Sequence, residues 1–436
     1  MDWQSPESRS RSLYERARKI FPGASNRQEV WSSPYPPYLS SGRGPWIRDV
    51  DGQRYLDLTG SLGVLIHGHA HPLINAAIAD QVERGTCFAL PTSAEIRLGE
   101  LLCGRVPGFE RLRFTSSGSE AVASALHAAR AFTGRSRIAC VEGASHGPDD
   151  LAASSNATSP ANWGVDPAGV PRYPGMPVEL QKQVRVLPAN DVATTTRLLE
   201  TEGESLAAIL VDPVPRQSGF EPLDPDYLAL LREASRRDGA LLVCDEEVAF
   251  RLGFAGAQGL LGIDPDLTVL GNFIGGGLPV GAVAGRDDVM AMFGSELETP
   301  KVLASGTFTG NPVTMAAGEA AMSLLDVEAF ARLDALGELL REQVRAIVQS
   351  SGYPLGVTGT GSLFSFHPHL RPVRDYRIAR RSPAEAECAQ RLHRALLARQ
   401  VLLAPNGNGF LCSALQPSDL DCLFDALPPA LEEAFA

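Results

Sequence analysis

The stretch RLRFTSSGSEAVASALHAARAFTGRSRIACVEG, residues 111–143, decides the fold class. Its ends are short apolar runs, and the segment SEAVASALHAARAF between them has the spacing of an amphipathic helix. Further apolar runs alternate with helical patterns at LAAILVDPV (206–214), ALLVCDEE (240–247) and DLTVLGN (266–272). This alternation predicts an α/β fold in which helices flank a buried, mainly parallel central sheet.

Polar residues stand where three of these strands should end. They are Asp212, Asp245 and Asn272, and each directly follows an apolar run. In open parallel sheets, ligands bind beyond the carboxyl ends of the strands. We therefore expect these three residues to share one site.

Two turns of small residues have the composition of a phosphate site. Ser117, Gly118 and Ser119 open a helix directly after a strand, where free N–H groups and the helix dipole attract anions. In SGTFTGNP (305–312), Thr307 offers a hydroxyl and a backbone N–H. Because Ser and Gly are also common helix caps, a purely structural cap is the alternative at the first turn.

Asp245 is a carboxylate at the end of an apolar strand, so it needs a cation or hydrogen-bond donors nearby. A protonated pyridine nitrogen would satisfy it. Helix capping or an ion pair with Arg251 would do so equally well.

Composition narrows the class of partner. The 436 residues, 44% of them hydrophobic, are enough for about two to three globular domains. A net charge of −12 argues against nucleic acid or an anionic membrane and favours a small metabolite. We found no signal peptide and no apolar run of about 18 residues, which predicts a cytoplasmic protein. Seven scattered cysteines without CxxC spacing predict neither a disulfide framework nor a zinc site.

The combination of motifs resembles the class III aminotransferases of the fold-type-I pyridoxal 5′-phosphate (PLP) group, most of all the glutamate-1-semialdehyde aminomutase branch. The resemblance runs essentially end to end. The stretches that carry it, in family order, are FPGASNR, DVDGQRYLDL, LIHGHAHP, FTSSGSEAVASALHAARAFTGR, VDPV, CDEEVAFRLGFAGAQGLLGIDPDLTVLG, IGGGLPVGAVAG and SGTFTGNPVTMAAG.

The resemblance implies a fold, an assembly and a site. It implies an N-terminal segment (1–60) joining the small domain, a large cofactor-binding domain (61–324) and a small α+β domain (325–436). It implies a homodimer whose active sites lie at the subunit interface. The residues it assigns to the cofactor are Ser117, Gly118 and Ser119 on the phosphate with Thr307 from the neighbouring subunit, Asp245 on the pyridine nitrogen, and Asp212 and Ser145 nearby.

Two positions depart from the family pattern. Two residues before IGGG, the relatives carry the lysine that binds the cofactor covalently and moves the substrate proton, and this chain has Asn272. An amide is neither nucleophilic nor basic near neutral pH, so ordinary transamination should be lost or severely slowed. The relatives also carry an aromatic residue on the cofactor ring where this chain has Ser145. The other lysines, Lys19, Lys182 and Lys301, offer no obvious substitute.

Three further features have weaker signals. His146 is the residue we would choose to inherit proton transfer, with a packing role as the alternative. His67, His69 and His71 have metal-like spacing, but the same string is a structural turn in the family, so we predict no metal. Arg27 is either a ligand for a substrate carboxylate or a surface residue.

Three functional hypotheses follow. The protein binds PLP or pyridoxamine 5′-phosphate (PMP) non-covalently and performs altered chemistry on a small amino or carbonyl metabolite. Alternatively, it has abandoned the cofactor and is a cofactor-free catalyst or a binding protein. In the third hypothesis, it is an ordinary aminotransferase in which the lysine at residue 272 was replaced on purpose.

Overall fold

The computed structural model describes residues 3–27, 31–155, 158–294 and 299–436. They form two compact units. The first unit consists of Met1–Pro72, Ala331–Pro372 and Arg381–Ala436, and the second of Leu73–Phe330 and Val373–Arg380. No sequence pattern predicted that the short segment 373–380 belongs to the second unit.

The secondary structure follows the predicted alternation. The strands are β1 (Leu39–Arg43), β2 (Trp46–Asp49), β3 (Arg54–Asp57), β4 (Arg111–Thr115), β5 (Arg137–Val141), β6 (Val184–Leu187), β7 (Leu206–Val211), β8 (Leu241–Asp245), β9 (Leu267–Gly271), β10 (Gly281–Gly285), β11 (Gly356–Thr358), β12 (Leu363–His367), β13 (Val401–Leu402) and β14 (Asn408–Phe410). The helices are α1 (Arg9–Ala17), α2 (Pro72–Arg84), α3 (Ser93–Cys103), α4 (Gly118–Thr133), α5 (Val178–Gln181), α6 (Val192–Glu202), α7 (Pro225–Asp238), α8 (Gly256–Leu261), α9 (Asp287–Met290), α10 (Pro312–Ser323), α11 (Val327–Ser351), α12 (Tyr376–Ala379), α13 (Pro383–Ala398) and α14 (Asp421–Phe435). Within the described ranges, no helix is long and apolar enough to cross a membrane.

A seven-stranded sheet forms the centre of the second unit. Its strands lie in the order β4, β10, β9, β8, β7, β5, β6. Strand β10 is antiparallel to β4 and β9, and the other adjacent pairs are parallel. The predicted mainly parallel sheet is thus confirmed. The antiparallel β10 was not predicted, and its direction follows from the short connection 272–280, which cannot make the crossover that a parallel strand needs.

Helix α4 packs against this sheet through alanine. Its buried face includes Ala121, Ala125, Ala128 and Ala129, whose small side chains allow a close approach to the strands. The helix ends at Gly134, which takes the left-handed conformation (φ 70°) common at helix C-termini. The helix predicted from SEAVASALHAARAF is therefore confirmed.

The first unit contains two small sheets, β1-β2-β3-β13 and β11-β12-β14. Strands β2 and β3 form an antiparallel pair, and β13, from the C-terminal part of the chain, pairs with β3 in parallel. Two helices follow Asn311, α10 and α11, and the side chain of Asp326 begins the second by accepting a hydrogen bond from the backbone N–H of Ala329 (2.7 Å).

Candidate active site

The carboxyl ends of β7, β8 and β9 hold the three polar residues at the predicted strand ends. These strands are neighbours in the sheet. Asp212 follows β7, Asp245 is the last residue of β8, and Asn272 follows β9. All three residues therefore lie on the same side of the sheet, at the carboxyl ends of its strands.

Asp245 is held by two hydrogen-bond contacts. Its side chain is buried, and its Oδ2 lies 2.7 Å from Nδ1 of the fully buried His146. Its Oδ1 accepts a hydrogen bond from the backbone N–H of Glu247 (3.0 Å). The other ring nitrogen of His146, Nε2, is buried and has no hydrogen-bond partner among the described residues. His146 thus orients Asp245 and retains one unused polar atom.

The carboxyl groups of Asp212 and Glu247 lie near Asp245. Burial and repulsion from the negative charge of Asp245 together raise the pKa of Asp212 to about 7, whereas His146 opposes the rise. Burial also raises the pKa of Glu247 to about 7, again with repulsion from Asp245. The cluster therefore carries more negative charge than its surroundings neutralise, which favours a cationic ligand.

We expect Asp212→Asn to flatten the pH dependence of stability. In an unfolded chain an aspartate releases its proton at about pH 4, whereas folded Asp212 keeps it up to about pH 7. Between these values the folded state binds more protons, so the free energy of unfolding falls as the pH rises. In the unaltered protein this decrease in the free energy of unfolding should be about 2 kcal/mol between about pH 5 and about pH 8, and the Asp212→Asn variant should lack it. Urea unfolding of both proteins at these two pH values measures it, and identical pH profiles would contradict the prediction.

The turn at the start of α4 lies beside the His146 loop. Ser117 is the N-cap of α4, and its Oγ accepts a hydrogen bond from the backbone N–H of Glu120 (3.2 Å), so the cap interpretation holds for this residue. A Cβ on Gly147 would lie closer than 3.0 Å to the side chain of Ser119. The predicted phosphate turn and the loop of His146 and half-buried Ser145 are therefore adjacent.

Asn272 begins the glycine-rich loop in a left-handed conformation (φ 57°), which asparagine adopts more readily than most residues. The glycines that follow serve packing. A Cβ on Gly276 would meet the backbone of Ala317 in α10 closer than 3.0 Å, and one on Gly318 would meet the carbonyl of Ile274. The glycines of this loop therefore let it approach α10 closely.

Thr307 is exposed and lines a cavity of about 500 Å³ between its own loop and residues 87–95. Gly306 is near the turn that precedes α4, because a Cβ there would lie 3.7 Å from Oγ of Ser116. Phe88, Leu90 and Phe308 are exposed in the same region. Three large apolar side chains are therefore exposed in the region of Thr307.

Other predicted site residues belong to the first unit. Arg27 is exposed, and residues 28–30, which follow it in the sequence, lie outside the described ranges. Nε2 of His69 lies 2.8 Å from Oδ2 of Asp57. Nδ1 of His67 lies 3.0 Å from Oγ of Ser413. These contacts give the histidine-rich turn a structural part in the fold.

Sequence reasoning missed three acidic residues. Glu247 completes the carboxyl cluster, whereas buried Glu246 accepts hydrogen bonds from the backbone N–H groups of Ala257 (2.6 Å) and Gln258 (2.9 Å) and anchors α8. Both residues follow a buried strand, in the run DEE (245–247). This run of acids at a strand end is the sequence signal that could have identified them.

The third missed acid, Glu142, fixes part of the loop that follows β5. Its carboxylate accepts hydrogen bonds from Thr158 Oγ1 and Arg377 Nε, both at 2.6 Å. The hydroxyl of Tyr376 donates to the carbonyl of Thr158 (2.9 Å). Segment 373–380 therefore anchors this loop on the second unit, although residues 156–157 lie outside the described ranges.

Comparison with known proteins places this geometry in a family. The chain matches the family model "Aminotransferase class-III" over residues 28–393. It is 36% identical over 399 residues to a glutamate-1-semialdehyde 2,1-aminomutase from Methanothermobacter thermautotrophicus, covering 91% of this chain and 92% of that protein.

Two solved structures share the fold. An omega-transaminase from Sphaerobacter thermophilus matches with a TM-score of 0.96 and 43% identity, over 100% of this chain and 99% of that one. A lysine-to-alanine variant of a glutamate-1-semialdehyde aminomutase from Pseudomonas aeruginosa PAO1, in complex with PMP, matches with a TM-score of 0.87 and 26% identity, over 98% and 94%.

The mixed sheet and its flanking helices are therefore the fold of the PLP-dependent fold-type-I aminotransferases. Within that class, the chain belongs to the class III aminotransferase family. The predicted fold class is confirmed. The named relatives include both aminomutases and a transaminase, so the family alone assigns no substrate.

Proposed function

We propose that this protein binds PLP or PMP without a covalent bond, at the carboxyl ends of β7, β8 and β9. The observation that carries the proposal is the buried carboxylate of Asp245 inside a cluster with Asp212 and Glu247. The protonated pyridine nitrogen of either cofactor would supply the cation that such a cluster favours. The PMP complex of the lysine-to-alanine aminomutase variant supports binding without a lysine.

The start of α4 fits the cofactor phosphate. The first N–H groups of a helix lack acceptors within the helix, and the dipole of this 16-residue helix favours an anion at Gly118 and Ser119. In the proposed homodimer, the partner subunit's Thr307 would complete the phosphate site. The exposed Phe88, Leu90 and Phe308 support such an interface, because isolated proteins rarely expose large apolar patches.

When bound, the cofactor supplies an electron sink for reactions at the substrate carbon. Asn272 can position a ligand, but it cannot act as the base. Nε2 of His146 is the atom that we assign to proton transfer, since it is buried next to Asp245 without a described partner. Ser145 provides no stacking surface, which should weaken ring binding by about 1 kcal/mol.

The substrate in this proposal is a small amino or carbonyl metabolite. Arg27 would bind its carboxylate. The chemistry differs from ordinary transamination, because no amine at residue 272 can exchange with the substrate. A cytoplasmic location remains a prediction from the sequence.

The test is an absorbance spectrum of the purified protein with PLP, before and after borohydride. We expect saturable cofactor binding and no cofactor fixed to the protein after reduction, because Asn272 forms no reducible bond. Failure to bind either PLP or PMP would overturn the proposal.

We expect Asn272→Lys to gain a borohydride-stable label at residue 272 and to regain little amino-group transfer. The lysine would restore the covalent bond, although a left-handed backbone costs it about 1 kcal/mol, and Ser145 would still leave the ring without a stacking surface. Peptide mass spectrometry locates the label, with Asn272→Gln as the unlabelled control. Full recovery of transfer would instead support a deliberate replacement in an ordinary aminotransferase.

The second candidate function is a protein of this fold that has abandoned the cofactor. Asn272 and Ser145 together favour it, because the first cannot hold the cofactor covalently and the second offers the ring no stacking surface. It predicts no saturable binding of either cofactor form, whereas the first proposal predicts binding of at least one.

A further inference from the structure

Glu247 occupies a niche made by two glycines. A Cβ on Gly118 would lie 2.5 Å from Oε2 and 2.7 Å from Oε1 of Glu247. A Cβ on Gly271 would lie 3.0 Å from Cγ of Glu247 and 3.3 Å from Cα of Gly118. Because neither glycine has a Cβ, the glutamate side chain fits between the start of α4 and the end of β9.

This niche places the side chain of Glu247 beside Gly271, with its carboxylate oxygens near Gly118. Gly271 directly precedes Asn272, the position at which the family lysine binds the aldehyde carbon of the cofactor. Asp245 and Asp212 raise the proton affinity of Glu247, whereas Arg216 and His146 lower it. An added cation at this place would relieve the repulsion among the three acids and stabilise ionised Glu247.

We propose that Glu247 makes the site selective for PMP, whose amine is cationic, over the aldehyde PLP. The inference rests on the proposed function and names the form of cofactor that the site takes. A carboxylate forms a charge-assisted hydrogen bond with an ammonium group, whereas an aldehyde has no donor to offer. Asn272 supports the same preference, because it cannot form the covalent bond by which a lysine retains the aldehyde form.

Binding measurements with three ligands test the selectivity. They are PMP, PLP and pyridoxine 5′-phosphate, which carries a neutral hydroxyl in place of the amine. We expect the protein to bind PMP about tenfold more tightly than pyridoxine phosphate, the worth of one hydrogen bond between charged groups. The comparison isolates the amine, because both ligands share the ring nitrogen and the phosphate.

Glu247→Gln is the decisive variant, since glutamine keeps the shape of the side chain and removes its charge. It should abolish the preference by weakening PMP binding, and it should leave the affinity for pyridoxine phosphate within about twofold. Glu233→Gln, on the exposed surface of α7, removes one charge elsewhere and should change neither affinity. The thermal unfolding midpoint of each variant checks that it folds.

The outcomes separate the inference from the proposed function. Equal affinity of the unaltered protein for PMP and pyridoxine phosphate would overturn the role of Glu247, and so would a preference that survives in Glu247→Gln. In both cases cofactor binding itself would stand. A protein that binds none of the three ligands would overturn the proposed function and this inference with it.

Discussion

Asp245→Asn should weaken PMP binding by about 100-fold. The carboxylate is buried, so its attraction for a protonated ring nitrogen is little screened by water. Asparagine has the same shape but no charge, and its amide would face the ring with a partial dipole only. The ring nitrogen would then lose its proton or remain buried without a counter-ion, and both alternatives cost binding free energy.

Isothermal titration of PMP measures this loss at one fixed ionic strength. Asp334→Asn, on the exposed surface of α11, changes the net charge equally and serves as the control. We expect the control to bind PMP normally. An unchanged PMP affinity in Asp245→Asn would show that the cofactor, if bound, does not use this carboxylate.

Gly281→Ala should lower the free energy of unfolding by at least about 3 kcal/mol. A Cβ at this position would lie closer than 3.0 Å to the carbonyl oxygen of Ser117 and to Oγ1 of Thr115. The backbone cannot retreat, because Gly281 pairs with Thr115 on β4 and with Gly271 on β9. The strain would therefore pass to Ser117 and distort the turn at the start of α4.

Urea unfolding of Gly281→Ala and Gly108→Ala measures this effect. Gly108 is exposed, and a Cβ there would meet nothing within 4 Å, so its variant should lose less than about 0.5 kcal/mol. Equal unfolding curves for the two variants would contradict the steric argument. The distorted turn should also weaken PMP binding, which links this glycine to the phosphate site as well as to stability.

The buried sheet could be predicted because its signals are local. Apolar runs such as LAAILV and LLVC are readable from a few adjacent residues, and so is the helical spacing of SEAVASALHAARAF. The strand-end positions of Asp212, Asp245 and Asn272 follow from the same reading. The assignment of Asn272 to the lysine position rests on the family resemblance alone and stays a prediction.

The contacts within the site could not be predicted in this way, because they join residues that are distant in the chain. His146 meets Asp245 across 99 positions, and Glu142 meets Arg377 across 235. The direction of β10 follows from the short connection 272–280, and the sequence pattern did not show where that connection ends. The role of Thr307 across a subunit interface remains a prediction from the family resemblance.

The sequence by itself therefore determined the α/β class and the polar residues at the strand ends, because both are encoded in residue type and local spacing. Only the tertiary structure decided where the side chain of Glu247 lies. Its niche needs Gly118 and Gly271, which lie far apart in the chain and meet through the packing of α4 on β9. Because these two glycines have no side chains, Glu247 fits between them and adds a third carboxyl group to the cluster around Asp245.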